Sequence, residues 1–264
     1  MSKERQIAPV TIHTPQGQRA QELFAKIYDS ASLSREAALF LNEHPDLEHY
    51  LRSGLRRYSL LICEQIMAQS LIGSEFIRWE DVERISQSVF YTSDELETLR
   101  DTFPSSSLVR WCINKDFIIV PPPPCKLTAL QLRDLPTSRF AQKKSWEWFT
   151  ENSFFSEEKT QTGWYVIKKT PISESEQCSW DEQEQLLQSS ERVPNVAELA
   201  WVVSIYFHVR GVRLFENVYV RTSSISQLGN HVYFGCHEQD GFILKEGNDG
   251  YRGGNVCLTV IKTE

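Results

Sequence analysis

The chain predicts an α+β protein: an N-terminal helical domain followed by a mixed α/β domain with a mainly antiparallel sheet. Three observations carry this. From Gln18 to about Arg110, apolar residues recur at three- and four-residue spacing, the period of helices packed by one face. Pro121 to Pro124 then interrupt the chain with four residues that cannot donate backbone hydrogen bonds. After Gly163 the pattern becomes strand, two helices and several strands, and eight of the twelve glycines fall in the last 54 residues, where turns are frequent.

Residues 1–17 contain two prolines and no periodicity, and read as a flexible arm. Residues 18–115 form the expected helical domain. Leu23, Phe24, Ile27 and Tyr28 share one face, and Ser34 ahead of Glu36-Ala37-Ala38 marks a capped start. A longer helix follows Pro45 and carries Leu47, Leu51, Leu55, Tyr58, Leu61, Ile62 and Ile66, with Gly54 as an interruption. Ser93-Asp94-Glu95-Leu96 marks another start, and Pro104 separates it from a helix bearing Leu108, Trp111 and Cys112. Residues 116–124 read as a proline-rich spacer, stiffened towards polyproline geometry. The rest of the chain, 125–264, is the second domain. Its aromatic cluster of Trp146, Trp148, Phe149, Phe154 and Phe155 reads as core or interface packing.

Within that domain, Trp164 to Lys169 reads as a strand and Trp180 to Leu187 as a short helix. Pro194 opens a longer helix through about His208, a position that suits a residue without an N–H. Gly211 ends it. Leu214 to Thr222, His231 to Gly235, Gly241 to Lys245 and Val256 to Ile261 read as strands joined by Gly, Asn and Asp turns.

Composition excludes several function classes. The net charge is −7, so there is no general attraction for nucleic acid or anionic membranes, and neither is an expected partner. No apolar run approaches the length of a membrane span, and no apolar stretch of signal type follows Met1-Ser2-Lys3-Glu4-Arg5. A cytoplasmic location is expected. The six cysteines, at 63, 112, 125, 178, 236 and 257, form no CxxC pair and read as reduced and structural. The run from Glu174 to Glu191 carries six carboxylates without Lys or Arg and reads as a solvated loop and helix face.

The order of landmarks after Gly163 resembles bacterial C-type-lectin-like domains, including formylglycine-generating-enzyme-like ones. The matching residues are Trp180, then Arg192-Val193-Pro194-Asn195 with Glu198-Leu199, then Arg221-Thr222-Ser223-Ser224, then Leu258 to Lys262. The resemblance implies a binding module that presents a loop surface to a protein or carbohydrate ligand. The chain is similar, more narrowly, to the variable proteins of diversity-generating retroelements, whose diversified positions lie near the C-terminus. By that resemblance the ligand face falls within 231–255 and uses Tyr233, Cys236, His237, Asn248, Asp249, Tyr251, Arg252 and Asn255. Tyrosine, asparagine and arginine give adaptable contact at modest entropic cost. The helical half is left to scaffolding, self-association or partner docking. Two alternatives stay open: a cysteine-dependent oxidoreductase akin to formylglycine-generating enzymes, with Cys236 and Cys257 as its pair, and a structural or phage-type assembly protein.

No catalytic residue, cofactor or metal is expected. Cys236 and His237 are strand neighbours that point to opposite faces, and His231 adds no paired ligand at a useful spacing. Asn248-Asp249 is similar to the Asn-Asp pair by which sugar-binding lectins hold calcium. Calcium needs six to eight oxygens, and Asn-Asp-Gly reads first as a turn.

Overall fold

A computed structural model describes residues 60–85, 89–140, 152–238 and 241–263, without the side chains of 236–238. The arm, the helical pattern around residues 23–38, most of the helix after Pro45, and Trp146, Trp148 and Phe149 lie outside the described residues. By contacts the chain divides between Arg56 and Arg57, and everything described belongs to the second unit, Arg57–Glu264.

That unit is mixed α+β. The helix α1 covers residues 60–72, and α2 (Trp79–Ile85), α3 (Ser93–Asp101) and α4 (Ser106–Trp111) follow. The local signals explain these starts. Thr92 and Glu95 form a reciprocal capping box on α3, and the Ser105 hydroxyl accepts from the Leu108 N–H on α4. Next come β1 (Phe117–Val120), α5 (Ala129–Arg133), α6 (Ser153–Ser156), β2 (Tyr165–Lys168) and α7 (Trp180–Glu184). The chain closes with β3 (Glu191–Arg192), α8 (Val196–Arg210), β4 (Tyr219–Ile225), β5 (His231–Glu238), β6 (Gly241–Glu246), β7 (Val256–Leu258) and β8 (Ile261–Lys262).

The strands form two four-stranded sheets. One has the order β1-β2-β8-β3 and is antiparallel throughout. The other has the order β6-β5-β4-β7, antiparallel except for the parallel pair β4–β7. The end of the chain therefore returns to the strand that precedes α7 and α8: Ile261 sits opposite both Ile167 and Arg192. The strand expected over 256–261 is split between the two sheets.

The helix α8 is the centre of the core. Every residue from Val196 to Tyr206 is buried, including Glu198 and Ser204. A helix apolar on all sides needs neighbours on all sides. Its start is closed by Asn195 and Glu198 in a capping box, and its end by Gly211 in the left-handed conformation. The buried Glu198 carboxylate takes two Arg192 hydrogen bonds, each of 2.7 Å, so the charge is compensated within one turn of the helix start.

The proline run is not a solvent-exposed spacer. Phe117 to Pro123 are buried, and the four residues before the prolines are a core strand. The Pro121 carbonyl accepts from the Trp201 indole at 2.8 Å, and the Pro122 carbonyl from the Tyr91 hydroxyl at 2.5 Å. Proline lacks a donor but keeps its acceptor, and here α8 and the residues before α3 supply the donors. Residues of α1 to α4 share one core cluster with β2, α8 and β4, so the described part of the helical half joins the mixed half in one unit. Phe154 and Phe155 are core residues, as their type suggested.

These two buried bonds make a prediction. Trp201→Phe and Tyr91→Phe each leave a buried proline carbonyl without its donor and should lower unfolding stability by about 1–3 kcal/mol in urea titrations. A proline run exposed as a spacer would leave Tyr91→Phe, which removes only the hydroxyl, at wild-type stability.

Candidate functional site

Between β6 and β7 the chain forms an arch over residues 247–255, lying over one face of the second sheet. Gly247 opens it because nothing larger fits: a Cβ there would stand 1.9 Å from Cζ of Tyr233. Asn248 makes the first bend. Its side-chain oxygen accepts from the Gly250 N–H at 2.8 Å, and its carbonyl accepts from the Tyr251 N–H at 2.9 Å. The arch rejoins the sheet where the Tyr219 N–H donates to the Asn255 carbonyl at 2.8 Å.

Beneath the arch lies Arg221, a side chain with no exposed surface. One terminal nitrogen donates to the Cys178 carbonyl at 2.9 Å and to Oε1 of Gln183 at 2.8 Å. The other donates to the Tyr251 carbonyl at 2.6 Å and to the Tyr233 hydroxyl at 3.2 Å. Nε has no partner. Tyr233 passes the contact on, donating to the Asn248 carbonyl at 2.9 Å. One guanidinium thus ties β4 to β5, to the segment leading into α7, and to the top of the arch. All four acceptors are neutral, and among the described residues no carboxylate forms an ion pair with Arg221. A buried cation is tolerated only where its donors are met, so these segments are held in place by the need to meet them.

A second tie lies on the flank. His231 donates its main-chain N–H to Oδ1 of Asp249 at 2.9 Å, and its Nδ1 lies 2.8 Å from Oδ2. Trp180 stacks on the imidazole with ring centres 3.5 Å apart, and its main-chain N–H donates to the Asp249 carbonyl at 2.8 Å. Arg252 reaches Glu182 at 2.5 Å. The Ser179 N–H, and then Arg252, hold the Glu182 carboxyl below the usual range.

The residues expected on the ligand face separate into two sets. Asn248, Tyr251, Arg252 and Asn255 are exposed together on the arch. Asp249 is half-buried and committed to His231. Tyr233 is only 5% exposed and supports the arch from below, so its place is structural. The side chains of Cys236 and His237 lie outside the described residues. The residues that sequence reasoning missed are Arg221, Trp180, His231, Gln183 and Glu182. One signal was available: Arg221 interrupts the strand run Tyr219-Val220-Arg221-Thr222, where a charge must find buried partners.

The exposed side chains of the arch offer contact and hydrogen bonding. Cys257 is buried opposite Val220, and burial, with Glu176 adding to it, pushes its thiol up to about 11. That position disfavours the thiolate that cysteine catalysis needs. Asn248 and Asp249 use their side-chain oxygens within the arch, and no group of three or more His, Cys, Asp or Glu able to hold a metal occurs among the described residues. No helix among them is long and apolar enough to cross a membrane. No protein-family model, curated protein or solved structure matches the chain.

Arg221→Met tests the arrangement. It fills similar volume but removes four donors, so stability should fall by about 2–5 kcal/mol. Amide hydrogens of residues 248–256 should exchange at least about tenfold faster under native conditions, the effect of about 1.4 kcal/mol on local opening. Unchanged exchange in the arch would show that something else holds it.

Proposed function

We propose that the chain is a non-catalytic binding module whose ligand face is the arch 247–255, carried on a C-type-lectin-like scaffold. One observation carries this reading: the arch backbone is fixed from beneath by a buried guanidinium, while Asn248, Tyr251, Arg252 and Asn255 stand exposed above it. Such a division lets side chains change without altering the support. It is the property a diversified binding surface requires, and it favours a variable protein of the diversity-generating-retroelement type. The order of elements also favours a lectin-like scaffold. Strand β2, two helices and a second sheet follow one another, and β8 pairs with β2. The ligand is a protein or carbohydrate surface met by tyrosine, asparagine and arginine. The alternative based on a reactive cysteine pair gains no support from the buried, weakly acidic thiol of Cys257.

The test is a library randomised at positions 248, 251, 252 and 255 and selected for folded protein by protease resistance. The proposal predicts that most residue types survive at all four positions, with stability changes within about 0.5 kcal/mol. A matched library at Arg221, Tyr233 and Gly247 should return the starting residues. Strong selection at the four exposed positions would contradict the proposal. Sequencing of the flanking DNA separates fixed from diversified specificity. A near-copy of the codons for residues 231–256, mismatched at template adenines, marks diversification.

A further inference from the structure

The arch borders a second exposed feature, the tip of the β4–β5 hairpin. Ile225 on β4 is the cross-strand partner of His231 on β5, so their side chains share one face of the sheet. On that face His231 meets Asp249 of the arch and the Trp180 ring. Ile225 therefore stands beside the arch, and it is 40% exposed. Beyond it the chain turns over residues 226–230 and presents Leu228. At 76% exposure this is the most open large apolar side chain among the described residues. Tyr251 on the arch is itself 53% exposed.

The turn is braced from several sides. The Gly229 N–H donates to the Ser226 carbonyl and the Ser226 N–H to the Asn230 carbonyl, both at 2.9 Å, with Gly229 in the left-handed conformation. The Ser226 hydroxyl donates to Glu246, the last residue of β6 before the arch. The Gln227 N–H donates to the side-chain oxygen of the buried Asn152 at 2.9 Å. An apolar anchor on a turn fixed in this way loses little backbone freedom on contact. The charge around it has one sign. Residues 170–191 and 222–244 contain no Lys or Arg. The helix α7, which carries Trp180, exposes Asp181 and Glu184, while the Arg252 charge is already met by Glu182 at 2.5 Å.

We propose that the ligand face runs from the arch on to this hairpin tip and takes a basic segment of a partner protein, with an apolar side chain set against Ile225 and Leu228; this inference rests on the arch being the ligand face. Leucine and isoleucine have no donor or acceptor for a sugar hydroxyl, so a carbohydrate covering the tip would leave polar groups unpaired against them. A protein segment brings apolar surface to the tip and Lys or Arg to Asp181 and Glu184. Of the two ligand classes open to the arch, protein is the one that uses the tip.

The probe is a displayed library of random linear peptides panned on the full chain. An enriched peptide is synthesised, titrated by calorimetry, and located by amide hydrogen exchange. It should carry Lys or Arg around an apolar residue and should protect amides in both 225–231 and 248–255. Leu228→Asp should weaken it at least about tenfold, while Leu228→Met stays within about threefold. Urea unfolding of both variants should match the wild type, because the side chain is exposed. Raising salt from roughly 50 to 500 mM should weaken binding about tenfold. A footprint on the arch alone, with Leu228→Asp at wild-type affinity, overturns the extension to the tip and leaves the arch as the ligand face. A footprint away from both overturns both. Failure to enrich any peptide, or enrichment of peptides without cationic residues, overturns the proposal as well. Self-association of the chain that Leu228→Asp abolishes assigns the tip to a second copy and overturns it too.

Discussion

A guanidinium with no exposed surface, and with no carboxylate paired to it among the described residues, is the constraint on which the second sheet depends. Arg221 is a central-strand residue between β5 and β7, and its charge has to be met inside the protein. The acceptors come from Cys178, Gln183, Tyr233 and Tyr251, which belong to separate stretches of chain. Gln183 lies on α7 and Tyr233 on β5, whereas Cys178 and Tyr251 belong to stretches without a regular ladder of hydrogen bonds. The cation therefore organises irregular backbone, and the arch inherits its shape from below. Gly247 is the complement of this arrangement, because the arch passes so close to the Tyr233 ring that a single added carbon collides with it.

The first sheet works differently. It is closed by two-residue strands, β3 and β8, that bring residues 191–192 and 261–262 together beside β2. Its order rests on α8, whose whole circumference is buried, and on the Arg192–Glu198 pair that neutralises the one carboxylate at the start of that helix. The proline run belongs to this layer as well, with its carbonyls accepting from Trp201 and Tyr91. The rigid layer carries the helix, and the irregular layer carries the exposed side chains.

Much of this was legible in the sequence where a local signal decides the local structure. Pro194-Asn195 with Glu198, Gly211, Ser93 and Pro104 placed helix ends within a few residues, since caps act over one turn. The strand edges around Gly241 and His231 followed from alternation and turns. The burial of residues 117–123 was hard to read from the sequence for a physical reason. Four prolines dominate the reading of that stretch, yet Phe117-Ile118-Ile119-Val120 is a short, fully apolar run of the kind that makes a buried strand, and its β-sheet partner lies some fifty residues away. Of the residues that the resemblance placed on a ligand face, Asn248, Tyr251, Arg252 and Asn255 are exposed. Tyr233 was taken for a contact residue because a tyrosine on a strand shows no sign of which face will be covered. Arg221 was read as a landmark without a role, because two of its four acceptors are main-chain carbonyls that no residue type announces.

The central claim is that the arch keeps one backbone shape whatever side chains it carries. Experimental structures of the wild-type chain and of a variant with Asn248, Tyr251, Arg252 and Asn255 all replaced by serine test it most directly. The account predicts that the main chain of residues 247–255 superimposes within roughly 1 Å, the scale of a pre-organised interface. It also predicts that the Arg221 hydrogen bonds to the Cys178 and Tyr251 carbonyls persist. An arch that refolds or loses those bonds in the variant would show that the exposed side chains, and not the buried cation, set its shape.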